Sequence, residues 1–305
     1  MITLSTLRSA PLALAYWLGA AGSNEGTTAR ILMFHGTPRR DAGAFERQMR
    51  WLKRRFQIVP LRSLIAAAAN GDGGLARKVA LTFDDGLRSN VAVAYPILHK
   101  LAIPATFFIC PGLVDRASWL WNHEVRRRLA RLDVQARREL AQEWGAPAEV
   151  ELFVEWMKTL DLETRKRVEA RLCEATPRFA PTPAEREEFD LASWGELRRL
   201  DPAVVTIGSH TLTHPILPSV SSEDAEVEVR DSRRLLERGL QRPVELFAYP
   251  NGNYNPAVEA CVRKHYRAAL TSSRGWVSRG ADAHRLPRLG APRGVLRLAR
   301  RIYPS

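Results

Sequence analysis

The chain has 305 residues, 45% of them hydrophobic, enough to bury the core of one large α/β domain or two small ones. Its 46 Lys and Arg against 33 Asp and Glu leave a formal charge of +13, which favours anionic partners such as acidic polymers or phospholipid headgroups, while the lack of any helix-turn-helix or RNA-binding signature argues against specific nucleic-acid binding. Cys110, Cys173 and Cys261 lie far apart and in no Cys-x-x-Cys spacing, which excludes a zinc knuckle or a disulfide framework and predicts three buried free thiols.

An N-terminal segment, 1–28, contains an apolar run from Pro11 to Gly22 behind a single basic residue, Arg8. It is too short to span a bilayer and suits a signal sequence, a membrane-surface anchor or a packed helix. The weak charge ahead of it favours a cytoplasmic or membrane-peripheral chain over a secreted one. No composition shift marks a linker, so a single domain is expected over 29–295, followed by a basic tail, 296–305.

Ile31 to Phe34 reads as a strand that ends at His35-Gly36, and Phe45, Met49, Leu52 and Phe56 recur at helical spacing behind it. A second strand, Val79 to Phe83, runs into Asp84-Asp85-Gly86. Val91 to Leu101 reads as a helix and Ala105 to Ile109 as a strand stopped by Pro111-Gly112. From Ser118 to Pro183 the strand signals vanish, and Glu124 to Trp144 and Leu160 to Glu174 predict two or three inserted helices, forming a cap or a solvated decoration. Trp194 opens a short helix with a structural role. Strands return at 204–208, 244–248 and 266–271, separated by a helix from Ser222 to Leu240 with Ser221 and Asp224 as a capping box. Alternating strands and helices predict a parallel sheet, open or closed into a barrel.

His35, Asp84, Asp85, His210 and Asn251 each follow a strand, which places them together at the C-terminal ends. Adjacent carboxylates raise each other's pKa unless a cation or a reaction uses them; the plainer alternative is an Asp-Gly turn. Downstream, His210-Thr211-Leu212-Thr213-His214 offers two imidazoles at i and i+4. One carboxylate with two His holds a divalent metal and leaves positions open for water and substrate. Iron oxygenases share that donor set, but the second Asp and the strand–helix alternation argue against them.

Thr82 to Gly86 resembles the first motif of the polysaccharide deacetylases, the NodB-homology or carbohydrate esterase family 4 enzymes, and Ser209 to His214 resembles their second. Phe247-Ala248-Tyr249-Pro250-Asn251-Gly252 is similar to the third. The resemblance covers roughly 29–112 and 190–290. It implies a distorted (β/α) barrel of about seven parallel strands with a helical insertion at about 118–183. It further implies a metal-dependent hydrolase that removes N-acetyl groups from a polysaccharide or other N-acetylated glycan. In this reading Asp85, His210 and His214 bind one divalent metal, Zn ahead of Co, Mn or Ni, and Asp84 is the general base.

The late Leu-x-His that usually supplies the family's general acid is missing. His35, closing Leu32-Met33-Phe34-His35, is similar to the opening of the circularly permuted poly-N-acetylglucosamine deacetylase branch, which implies that it is the acid; His284 is the fallback and His265 the other late histidine. In the third motif Ala248 and Asn251 stand where the family carries Arg and Tyr. Arg288, in Leu286-Pro287-Arg288, is the candidate to replace the missing Arg beside Asp84, and the backbone N–H of Asn251 can serve as oxyanion donor. Tyr249, Tyr254 and Trp121 are candidate stacking surfaces for a sugar. O-acetyl esters and cyclic amides remain alternative substrates, and a glycan-binding module remains an alternative to an enzyme.

Overall fold

A computed structural model describes residues 27–70, 74–116 and 118–303. The apolar run, Pro11 to Gly22, lies outside the described residues. Nine strands occur among these: β1 (Thr28–Phe34), β2 (Gln57–Ile58), β3 (Lys78–Phe83), β4 (Ala105–Ile109), β5 (Val205–Ser209), β6 (Leu246–Ala248), β7 (Ala268–Arg274), β8 (Val277–Ser278) and β9 (Leu286–Gly290). Seven of them, β3-β4-β5-β6-β7-β9-β1, pair in parallel, and β1 closes the ring against β3 with Arg30 opposite Val79 and Phe34 opposite Phe83. β2 pairs beside the start of β3, below β4, and β8 runs antiparallel to the start of β1.

Period-two alternation divides each strand between two cores. Ile31, Ala80, Phe108, Leu246, Leu270 and Leu286 come from strands all around the ring and form one apolar cluster, so they face the barrel interior. Leu61, Leu64 and Ala68 of α2 (Leu61–Asn70) join that cluster and plug one end. The alternate residues, among them Leu32, Leu81, Phe107, Ile207, Phe247 and Leu289, face outward. They pack beneath α1 (Ala42–Arg55) and other surrounding helices. Gly208 is required in β5 because a Cβ there would lie 2.4 Å from the Phe108 ring that fills the interior.

The helix expected over Val91 to Leu101 begins as a π turn, Asn90–Ala94, and continues as α3 (Tyr95–Lys100). Between β4 and β5 the described residues form α4 (Trp121–Arg131), α5 (Val134–Trp144), α6 (Val150–Met157), α7 (Leu162–Ala175) and α8 (Pro183–Phe189). Four of these, α4 to α7, lie where two or three were expected and share a core of their own in which Trp121, Val125, Leu129, Phe153, Met157 and Leu172 are buried together. α9 (Trp194–Arg198) precedes β5, and the Trp194 ring packs where Gly239 leaves room for it. α10 (Ser222–Leu240) is capped by Ser221, but the Asp224 carboxylate takes the Ser221 hydroxyl instead of returning to its amide.

α11 (Pro256–His265) precedes β7, and α12 (Val295–Ile302) corrects the expectation of a basic tail. Leu298, Ala299, Ile302 and Tyr303 are buried, and Arg30 Nε donates to the Ile302 carbonyl at 2.9 Å. The stripe Val295, Leu298, Ala299 and Ile302 carries the helical period between the arginines. Cys110 and Cys261 are buried free thiols as expected, whereas Cys173 is exposed on α7. No helix of the described residues is long and apolar enough to cross a membrane.

Candidate metal centre and catalytic pocket

The inward-facing columns of the strands continue into the loops at their C-terminal ends. On β1 the column Ile31, Met33 leads to His35; on β3, Ala80 and Thr82 lead to Asp84; on β5, Thr206 and Gly208 lead to His210. Arg288 lies within β9, two residues past the inward Leu286. All four side chains line one cavity of about 360 Å³ at the barrel mouth, together with Asp85, His214 and Asn251.

Asp85 has the wrong parity to face inward from an extended strand. Its φ of 73° turns the chain, and Thr211, His214 and Asn251 share this left-handed conformation with φ of 67°, 64° and 56°. Each such residue costs about 1–3 kcal/mol and persists only where its surroundings over-determine it. For the His210 to His214 loop those surroundings are visible. Glu228 of α10 accepts from the amides of Leu212 and Thr213, both at 2.8 Å, and from the Thr213 hydroxyl. The His214 amide donates to Thr211 Oγ1 at 3.0 Å, and Trp121 Nε1 donates to the His214 carbonyl at 3.0 Å.

Asp85 Oδ1 lies 3.7 Å from His210 Nε2 and 3.5 Å from His214 Nε2. His210 Nδ1 faces the Ala248 carbonyl at 2.7 Å, so Nδ1 donates there and Nε2 is the nitrogen turned toward Asp85. Burial, reinforced by His210, pushes the His214 pKa down to about 3, so this ring is neutral near pH 7. Burial opposes the charge on Asp85, but the imidazoles of His123, His35 and His214 outweigh it and hold the carboxyl well below its ordinary range. One carboxylate and two imidazoles, with one donor atom from each within 4.8 Å of the others, fit a divalent cation.

Asp84 has a different environment. Its two oxygens receive Arg288 Nη1 at 2.7 Å and Nη2 at 2.8 Å in a bidentate fork. The guanidinium is fixed in turn by the Thr82 hydroxyl at 3.2 Å and the Thr271 carbonyl at 2.8 Å. Burial opposes ionisation of Asp84, yet Arg288, followed by His210, holds its pKa below the usual carboxylate value.

The remaining sequence candidates separate by position. His35 borders the cavity and is exposed. Asn251 also borders it, with Oδ1 accepting from Lys158 Nζ at 3.1 Å. His284 faces the Tyr266 carbonyl at 2.9 Å and Arg263 at 3.1 Å and does not line the cavity; His265 pairs with Glu226. Tyr249 lines the cavity although it is 0% exposed; its hydroxyl donates to the His284 carbonyl and its ring stacks on Tyr254. Trp121 also lines the cavity and is buried beneath Arg165.

Sequence reasoning missed two residues that the helical insertion brings to the mouth. Lys158, just after α6, meets Asn251; His123, on α4, places Nε2 3.6 Å from Asp85 Oδ2. Neither sits near a recognisable motif, so no local signal marked them.

A family model described as polysaccharide deacetylase matches residues 72–269. Among curated proteins, YxkH of Bacillus subtilis (strain 168) is 20% identical over 275 residues, covering 87% of this chain and 72% of the relative. Among solved structures, the Streptococcus pyogenes deacetylase PplD in complex with acetate aligns with a TM-score of 0.61 at 18% identity, covering 92% of this chain and 100% of that one. IcaB from Ammonifex degensii gives 0.60 at 17% identity, covering 90% and 97%. At these identities the structural likeness speaks to the fold alone.

Proposed function

Because this chain belongs to the polysaccharide deacetylase family, whose members deacetylate glycans, we propose that it is a metal-dependent N-deacetylase whose metal would be held by Asp85, His210 and His214. The observation that carries this reading is the division of labour between adjacent carboxylates. Asp85 is turned toward two imidazoles, while Asp84, one residue away, is locked by Arg288 and free of the donor set. When bound, a divalent metal supplies Lewis-acid polarisation of the acyl oxygen.

The protein groups supply the rest. Asp84, kept ionised and oriented by Arg288, takes a proton from water as its oxygen bonds to the acyl carbon. His35, at the cavity rim, gives a proton to the nitrogen as the C–N bond breaks, so that acetate and a free amine leave. The amide of Asn251 serves as a donor to the developing oxyanion. Zinc is the proposed ion, with Co, Mn or Ni compatible with the same donors.

Acetate release from N-acetylglucosamine oligomers, before and after chelation and with Asp84→Asn alongside, tests this. Release that depends on metal and disappears in the variant supports the reading. An Asp84→Asn protein that turns over like wild type would overturn it.

A further inference from the structure

We propose that His123 is a positioning residue that fixes the metal-facing orientation of Asp85, so that the inserted helices as well as the barrel set metal affinity. The inference rests on the metal-binding reading of Asp85, His210 and His214. It begins with the two oxygens of Asp85. Oδ1 faces His210 and His214, at 3.7 and 3.5 Å, while the other oxygen, Oδ2, faces His123 Nε2 at 3.6 Å. The three donor atoms that cluster for a cation belong to Asp85, His210 and His214 and do not include His123. It meets the carboxylate at the oxygen that the two other histidines do not face. There an N–H aimed at Oδ2 reserves Oδ1 for the metal and stops the carboxylate from rotating.

His123 Nε2 is buried and has no hydrogen-bond partner, a costly state for a polar atom. Asp85 Oδ2, at 3.6 Å, is only slightly beyond hydrogen-bonding distance. The ring is also held from behind. It stacks on Phe189 of α8 with centroids 4.7 Å apart, Phe189 packs on Trp119, and Trp119 Nε1 donates to Asp190 at 2.8 Å. Two residues earlier on the same helical turn, Trp121 donates to the carbonyl of His214. The first turn of α4 thus touches two of the three proposed ligands, His214 through its backbone and Asp85 through its carboxylate. Groups that orient a metal ligand in this way typically change metal affinity 10–100-fold when lost.

The test is a competition titration of zinc between a chromophoric chelator and metal-stripped full-length wild type, His123→Phe, His123→Gln and Asp85→Asn. Phe keeps the stack on Phe189 and removes the N–H; Gln places an amide N–H near the original Nε2. We expect zinc to bind His123→Phe about 10–100-fold more weakly than wild type and His123→Gln within a few-fold of it, with thermal midpoints of the metal-free proteins alike. Wild-type affinity in His123→Phe would overturn the assignment. Equal losses in Phe and Gln would also overturn it, by tracing the effect to packing. If wild type binds no more zinc than Asp85→Asn, the metal site itself falls, which is distinguishable from failure of His123 alone.

Discussion

Arg288→Met removes the cation from a carboxylate that has nowhere else to turn. Asp84 is 2% exposed and Arg288 1%, so neither charge is relieved by water. The fork to Asp84 accounts for two hydrogen bonds, and the Thr82 and Thr271 contacts hold the guanidinium for that purpose. Removing one partner of a buried pair costs about 3–5 kcal/mol, because the remaining charge stays buried without compensation. We expect a loss of that size at about pH 7, read as a shift in the urea midpoint followed by Trp fluorescence. The pH dependence has a definite sign. The folded pKa of Asp84 is lowered below the unfolded value of about 3.9, so the pair stabilises above that pH and its contribution is lost as pH falls through the folded pKa. Without Arg288 the carboxyl protonates at higher pH, and a neutral Asp84 needs no cation. The deficit of the variant should therefore shrink on acidification, and the acid limb of kcat/KM should move upward in pH. A variant within about 1 kcal/mol of wild type, or a deficit independent of pH, would refute this account of the pair.

Glu228→Ala should leave the amides of Leu212 and Thr213 without their acceptor, destabilise the protein by about 1–3 kcal/mol and weaken zinc binding, as measured by denaturation and chelator competition. His35→Ala should lower the rate of amide deacetylation by about 10²–10⁴-fold; a rate within a few-fold of wild type would remove it as the acid. In metal-free protein, His214 is held near a pKa of about 3 against about 6.5 unfolded, so the unfolded chain gains a proton first as pH falls. Its contribution is complete above about pH 6.5 and declines by about 1.4 kcal/mol per pH unit toward pH 3, a slope that His214→Gln should flatten in urea midpoints measured across that range.

The strands that carry motifs were legible because apolar runs ending in polar residues encode both the period of two and the direction of the site. Ala105 to Ile109 is the clearest case, since the strand has those limits in the structure. β9 was not legible, because Pro287 and Gly290 read as punctuation although the strand supplies Arg288. α12 was hidden because charge dominates its composition while four apolar residues carry the packing. Within the site, the order of Asp84, Asp85, His210 and His214 could be read from the motifs, and Arg288 from the gap that Ala248 leaves in the third. His123 and Lys158 could not be read. Their relation to the barrel depends on how the inserted helices fold back over its mouth, a long-range arrangement with no short-range sequence period.

In the proposed site Asp85, His210 and His214 hold one metal while Asp84 stands apart from it. This division is checked by metal content per chain, measured after zinc loading and desalting in wild type, Asp85→Asn and Asp84→Asn. We expect about one zinc in wild type, little in Asp85→Asn and about one in Asp84→Asn. Zinc retained fully by Asp85→Asn, or lost from Asp84→Asn, would contradict it.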